Sequence, residues 1–395
     1  MRWLVVLALL VTGCSAQPVS FHGSQASSAR TEPSPTQPQV IPPGSTPPAP
    51  SPVAGLPPAS APSYAVLVDL FAGSGAYDIA VVSSSGAVVA RAHPRQRSAI
   101  SDALELPYVS ASNSRVYYLN GDGDIRYLKA DGTTGQAATV PASASVHAAF
   151  AVTPDDRRIA VALLDYSTTP VKLTIYVENV GGAQHRVIYT STNHYVWPVA
   201  WHAGQLVVAY LGPNAVPFKS KAVLYGNGDL IRYPYGPSPY GGINFHVINP
   251  ATAVREAIIT GGGASGLLSK AGVAAVQGDA TSWNGQWVNW NSPEDYGSYS
   301  ASGSLSPDGS VIAACCDSPG GAGHLVLWYR GGSSTALRVG ATSTDWAGWF
   351  DNSHLITGFY QRSEGTPNVI DLNSDVITTV PAYGIVAAML PGGLD

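Results

Sequence analysis

"SPDGSVIAACC" occupies residues 306–316, and "TPDDRRIAVAL" occupies residues 153–163. Each opens on a hydroxyl residue, then Pro and Asp, then a run of small and aliphatic residues. Proline suits the second position of a β-turn, and Gly, Asn or Asp tolerates the conformation that follows. The run after the turn is short, β-branched and without helical period, so it reads as a strand. Two copies of one turn–strand step point to a repeated unit rather than to a local motif.

Looser copies extend the pattern. They are "NSRVYYL" (113–119), "HAGQLVVAY" (202–210), "SKAGVAAV" (269–276) and "DNSHLITGF" (351–359). A short strand precedes each of the six steps: "PYVSAS", "HAAFAV", "PVAW", "SGLL", "SGSL" and "DWAGWF". A seventh step is split between the ends. The closing "GIVAAMLPGGLD" (384–395) has the form of a preceding strand and turn, and "YAVLVDLF" (64–71) that of the strand that should follow. Residues 64–395 divided by seven give about 47 residues per unit, an ordinary propeller-blade length. The expectation is an all-β fold: a single β-propeller of seven blades, its ring closed by pairing of the N- and C-terminal strands. The fifth unit is short, with little room for an outer strand between Trp290 and Ser302, so six blades also fit. The turn–strand steps resemble the TolB-type, WD-repeat-like propellers of bacterial envelope proteins, most strongly at 153–163 and 306–316. "HAGQ" and "SKAG" depart from that pattern because they lack the Pro-Asp turn.

On this reading "VIAACC" is a strand inside a blade, where neighbouring blades cover both faces and small apolar residues belong. Cys315 and Cys316 are then expected to be packed free thiols. A vicinal disulfide is the alternative, and it requires the backbone to leave strand geometry, because adjacent strand residues face opposite ways.

The N-terminus reads "MRWLVVLALLVTGCSA". One basic residue precedes an apolar run too short to span a bilayer but suited to a signal-peptide core. Val11-Thr12-Gly13-Cys14 resembles the bacterial lipobox, which implies a signal peptide over 1–13 and fatty acylation (a palmitate-type anchor) of Cys14. Residues 15–63 hold 13 of the 31 prolines. With Cys14 they form a Pro/Ser-rich, disordered tether over 14–63, too poor in apolar residues to fold. The propeller occupies 64–395.

The chain carries a net charge of −5 and no basic stripe, so nucleic acid is not an expected partner. "HPRQR" (93–97), its densest basic spot, reads as a solvated loop. No G-x-S-x-G, H-E-x-x-H or C-x-x-C pattern occurs, and no cofactor is implied. Asn120, Asp122 and Asp124 alternate as in a calcium loop, but Ile125 stands where such loops need Gly. The favoured reading of 119–131 is a hairpin, with Asn-Gly-Asp-Gly as its turn and no metal. Carboxylates such as Asp102, Glu105, Asp122, Asp124 and Asp165 gather on the face built from inter-blade and second-to-third-strand loops.

Unit four departs most from the repeat. About thirty extra residues, 212–242, separate the strand ending at Leu211 from "INFHVINP", and "DATSWNGQWVNW" follows in the next unit. Long loops on rigid scaffolds often carry binding. Tyr233, Tyr235, Tyr240 and Trp283 are the ligand-binding candidates, as an aromatic platform for a sugar or peptide. Trp287 and Trp290 are expected to pack between blades.

Together these features describe a lipid-anchored, extracytoplasmic binding or scaffold propeller of the bacterial envelope. Its partners would be the membrane, through the lipid, and an envelope protein or cell-wall glycan. The alternatives are a carbohydrate-active enzyme using two of the face carboxylates and a structural subunit of an envelope complex. Cys14→Ala is expected to abolish metabolic fatty-acid labelling and to release the protein from membranes. Labelling that persists in the variant would exclude Cys14 as the anchor.

Overall fold

The computed structural model describes residues 64–73, 75–100, 108–202, 204–210, 244–259, 266–269, 272–275, 281–283, 286–288, 303–307, 310–315, 325–329, 334–337, 346–359, 362 and 365–392, several of them, chiefly between 257 and 305, as backbone only. Every regular element among them is a strand. The first meander is β1 (Tyr64–Gly73), β2 (Ala76–Ser83) and β3 (Val88–Ala92). The second sheet is β4 (Val109–Ala111), β5 (Val116–Asn120), β6 (Asp124–Leu128) and β7 (Thr134–Thr139). The third is β8 (Val146–Val152), β9 (Arg158–Asp165), β10 (Lys172–Asn179) and β11 (Arg186–Ser191). The fourth is β12 (Val196–His202), β13 (Gln205–Tyr210), β14 (Asn244–Asn249) and β15 (Val254–Ile259).

Two ribbons come next, β16 (Gly266–Ser269) with β17 (Gly272–Ala275), and β18 (Thr281–Trp283) with β19 (Gln286–Val288). They are followed by a sheet of β20 (Gly303–Leu305), β21 (Val311–Cys315), β22 (Leu325–Tyr329) and β23 (Ser334–Leu337). The last full meander is β24 (Trp346–Trp349), β25 (His354–Gly358), β26 (Asn368–Asp371) and β27 (Val376–Thr379). β28 (Ile385–Leu390) starts no new sheet. It pairs antiparallel with β1, Tyr64 opposite Leu390 and Val68 opposite Ile385, giving the order β28-β1-β2-β3. The two chain ends thus supply neighbouring strands of one sheet, as the split seventh step requires.

All of the sheets are antiparallel meanders, and their first strands touch in succession. β28 contacts β4, β4 contacts β8, and β8 contacts β12; on the other side β16 contacts β20, β20 contacts β24, and β24 contacts β28. This is the radial packing of a β-propeller. Apolar clusters fill the gaps between sheets. One joins β8–β10 to β12–β14 through Ala149, Ala151, Trp197 and Trp201, and another joins β1 to β25 and β26 through Leu67, Ile356 and Val369. A methyl group added at Gly348 of β24 would lie 2.7 Å from a Val386 methyl of β28, so the approach there admits no side chain. Polar ties cross the same gaps. Trp201 Nε1–H donates to the Ala151 carbonyl at 2.9 Å, and the Tyr77 hydroxyl donates to the Leu119 carbonyl.

The repeated turn depends on its first residue. Thr153 Oγ1 accepts the amides of Arg157 (3.2 Å) and Arg158 (2.9 Å), and Ser306 Oγ accepts those of Ser310 (3.1 Å) and Val311 (3.0 Å). Ser112 Oγ does the same for Ser114 and Arg115, in a step without Pro-Asp. All three hydroxyl residues are buried. At 350–354, where the first residue is Phe350, Asp351 Oδ1 accepts the Ser353 and His354 amides instead. Asp156 takes the left-handed conformation, φ 63°, a position that Asp tolerates.

The Trp-rich stretch after 279 is not loop throughout, since Thr281–Trp283 and Gln286–Val288 pair as a ribbon beside β17. Cys315 ends β21 opposite Leu325. Cys316, the segment 212–242 and the tract between Trp290 and Ser302 lie outside the described residues, as do residues 1–63, where the leader and tether are expected.

Thr153→Val keeps the shape of the side chain and leaves the Arg158 amide unpaired, while the Arg157 amide keeps Asp155 Oδ1. It is expected to cost about 1–3 kcal/mol in denaturant unfolding, with Thr153→Ser much closer to the parent. Equal stability of the Val and Ser variants would show that the hydroxyl does not hold the turn.

Candidate functional site

The turns β5–β6 and β9–β10 and the connections after β3 and β27 lie at one end of the sheets. After β3 the chain crosses this end as a strap, "HPRQRS" (93–98). The segment is no solvated loop, contrary to the expectation from its charge. Its polar groups are tied to three successive sheets. In the first, Gln96 donates its amide to the Gly75 carbonyl (3.0 Å) and its Nε2–H to the Leu70 carbonyl (2.7 Å). In the second, the Arg95 amide donates to Asn120 Oδ1 (3.0 Å), and Ser98 donates its amide to Asp122 Oδ1 (2.6 Å) and its hydroxyl to Oδ2 (2.9 Å). In the third, Arg97 Nη1 donates to the Ala148 carbonyl (3.0 Å), and His147 Nε2–H donates to the Ser98 carbonyl (2.9 Å). The Arg97 guanidinium also lies 4.0 Å over the Tyr108 ring, a cation–π contact.

These bonds settle what the alternating residues at 120–124 do. Asn120 accepts the Arg95 amide and donates Nδ2–H to Asp124 Oδ2 (3.1 Å), while Asp122 holds Ser98. Gly121 has φ 73°, and a methyl at Gly123 would lie 2.5 Å from the Val140 carbonyl, so both glycines serve the hairpin and its neighbour. Among the described residues no group of three or more His, Cys, Asp or Glu is placed to hold a metal ion.

His147 is 5% exposed, and its Nδ1 has no hydrogen-bond partner. With Nε2 carrying the proton, Nδ1 is a buried lone pair. The ring meets Tyr166 edge-on at 5.3 Å. Burial, and next the Arg97 charge, push its pKa down to about 4, against the Ser98 bond and Asp122. His246 of β14 is also lowered to about 4, by burial and Arg255, and its ring stacks on Tyr210 at 5.1 Å. Tyr210 and His246 stand at the root of the long excursion.

A second cluster lies where β1 meets the 362–383 connections. Asp69, 2% exposed, receives Arg362 Nε (2.8 Å) and Nη2 (2.6 Å) on Oδ2 and the Phe71 amide (2.9 Å) on Oδ1. Arg362 also lies 5.0 Å over the Tyr383 ring, which is 41% exposed. The pair braces the loops and presents an Arg–Tyr surface. Asp165 is likewise occupied, accepting the Ser167 amide at 2.8 Å.

Of the sequence-derived candidates, Trp283 lies in β18 opposite Gln286, described as backbone only. Tyr233, Tyr235, Tyr240, Cys14, Asp102 and Glu105 fall outside the described residues. Sequence reasoning missed Ser98, Arg97, His147, Asp69 and Arg362. One signal was available, since His147 is the lone imidazole in the otherwise apolar "VHAAFAV" strand.

No family model matches the chain, and no curated protein matches it. Solved structures similar to it include TolB of Acinetobacter baumannii (11% identity, 84% of this chain and 66% of that one, TM-score 0.41). Two others are periplasmic gluconolactonase of Pseudomonas aeruginosa (14%, 82% and 97%, 0.45) and an oligogalacturonate lyase of Vibrio parahaemolyticus (9%, 78% and 90%, 0.43). Nothing about activity follows from similarity at this level.

Because the folded-state pKa of His147 lies below its ordinary 6.5, its contribution to stability is complete above about pH 6.5 and is lost as pH falls toward 4. Stability is expected to fall across that window with a slope approaching ~1.4 kcal/mol per pH unit from this residue. Urea unfolding at stepped pH checks it, and His147→Gln should flatten the slope.

Proposed function

We propose that this chain is a lipid-anchored, extracytoplasmic propeller of the bacterial envelope that binds a protein or glycan partner. Its seven blades are the six four-stranded sheets and a fifth unit made of the ribbons β16–β17 and β18–β19, closed into a ring by β28 on β1. One observation carries the binding reading over the hydrolytic one. The described acids at the strap end, Asp69, Asp122, Asp124 and Asp165, each accept hydrogen bonds from neighbouring residues and serve as braces. A hydrolase needs two carboxylates facing a cleft about 5–9.5 Å apart.

The test uses protein with the tether replaced by an affinity tag, offered both envelope extract and purified cell-wall glycan. Binding to one of them is expected, and replacing 214–240 with a short Gly-Ser turn should abolish it. The melting temperature should move only a few degrees, because loop closure depends weakly on length and 1 kcal/mol shifts a large domain roughly 2–4 °C. Binding to neither, or unfolding of the shortened protein, would overturn the proposal.

A further inference from the structure

We propose that the strap 93–98 is an acid-sensitive latch over the ends of the first three sheets, opened by protonation of His147. The inference rests on the strap's bonds and is independent of what the propeller binds. His147 Nε2–H already donates to the Ser98 carbonyl, so an added proton goes to Nδ1, which is buried without an acceptor. A buried donor with no partner and a buried charge are both costly.

The groups around the ring decide where that cost is relieved. The β8 strand, Val146–Val152, carries no other titratable residue. From the strap comes Arg97, a like charge. From the β5–β6 turn comes Asp122, whose two oxygens hold Ser98. From the β9–β10 side come Tyr166, edge-on, and Asp165, which pairs with Val146 across the ladder and accepts the Ser167 amide. The strap lies outside the named strands and joins them through the single Ala76–Arg95 bridge and the backbone bonds of Pro94, Arg95 and Gln96. Lifting it hydrates the imidazolium, removes Arg97 from beside it, and releases both Asp122 oxygens to face the new cation. The closed state needs a neutral ring, and the open state suits a charged one. Burial and Arg97 already hold the ring neutral at ordinary pH.

Hydrogen–deuterium exchange on the full chain tests this, with rates corrected for the intrinsic pH dependence. The amides of Gln96 and Ser98 report the strap, and β9 and β10 serve as internal controls. Between pH 7.5 and 4.5 the strap amides are expected to lose protection at least tenfold while β9 and β10 do not change. His147→Gln keeps a donor for the Ser98 carbonyl and cannot titrate, so its strap should stay protected throughout. A wild-type strap protected down to pH 4.5 would overturn the latch, as would an H147Q strap that opens over the same range. If H147Q does not fold, Arg97→Gln decides. Losing the like charge should move the opening midpoint to lower pH, and an unchanged or higher midpoint rejects the mechanism.

Discussion

The fold depends on how closely its first strands approach one another. Where β8 and β28 meet neighbouring sheets, small side chains fill the space. That constraint selects Ala148, Ala149 and Ala151 in β8 and Ala387 and Ala388 in β28, all nearly inaccessible, and it selects Gly348 where Val386 leaves no room. Large side chains also stand on a first strand, Trp197 and Trp201 of β12, and Trp201 ties its Nε1–H to the Ala151 carbonyl of β8. A methylene added to an inner strand would force two sheets apart, whereas one added to an outer strand would meet water.

The tight turns follow from the same crowding. A turn buried between sheets must satisfy its amides internally, and a hydroxyl on the first residue does so within the turn. Thr153, Ser306 and Ser112 solve one problem with one group, and Asp351 solves it with another. Proline and aspartate shape the turn. The hydroxyl keeps its amides paired.

The sequence showed a great deal of this because periodicity survives where geometry repeats. Among the described residues strands fall within the repeated steps, as β5, β9, β13, β21 and β25 do, and β28 pairs with β1. Tertiary placement of polar loops was not legible. "HPRQRS" has the composition of a solvated loop, and nothing local announces that Ser98 meets Asp122 or that Arg97 reaches Ala148. Spacing shows that Asn120, Asp122 and Asp124 alternate but not what each one touches. The Arg362–Asp69 pair joins residues 293 positions apart, beyond any pattern a single chain displays.

The pairing of β28 with β1 also governs how the molecule comes into being. The first strand to emerge waits for the last six-residue strand before one of its edges is satisfied. A chain without β28 cannot complete that sheet, so its closure waits for the last described strand. The contacts are as long-range as the chain allows, which slows the final step and leaves an apolar edge, "YAVLVDL", open in the meantime. A chain trimmed by a few residues at its C-terminus would keep every other sheet and still present that edge to chaperones, proteases and its own copies. β28 therefore acts as a seal on the edge of β1.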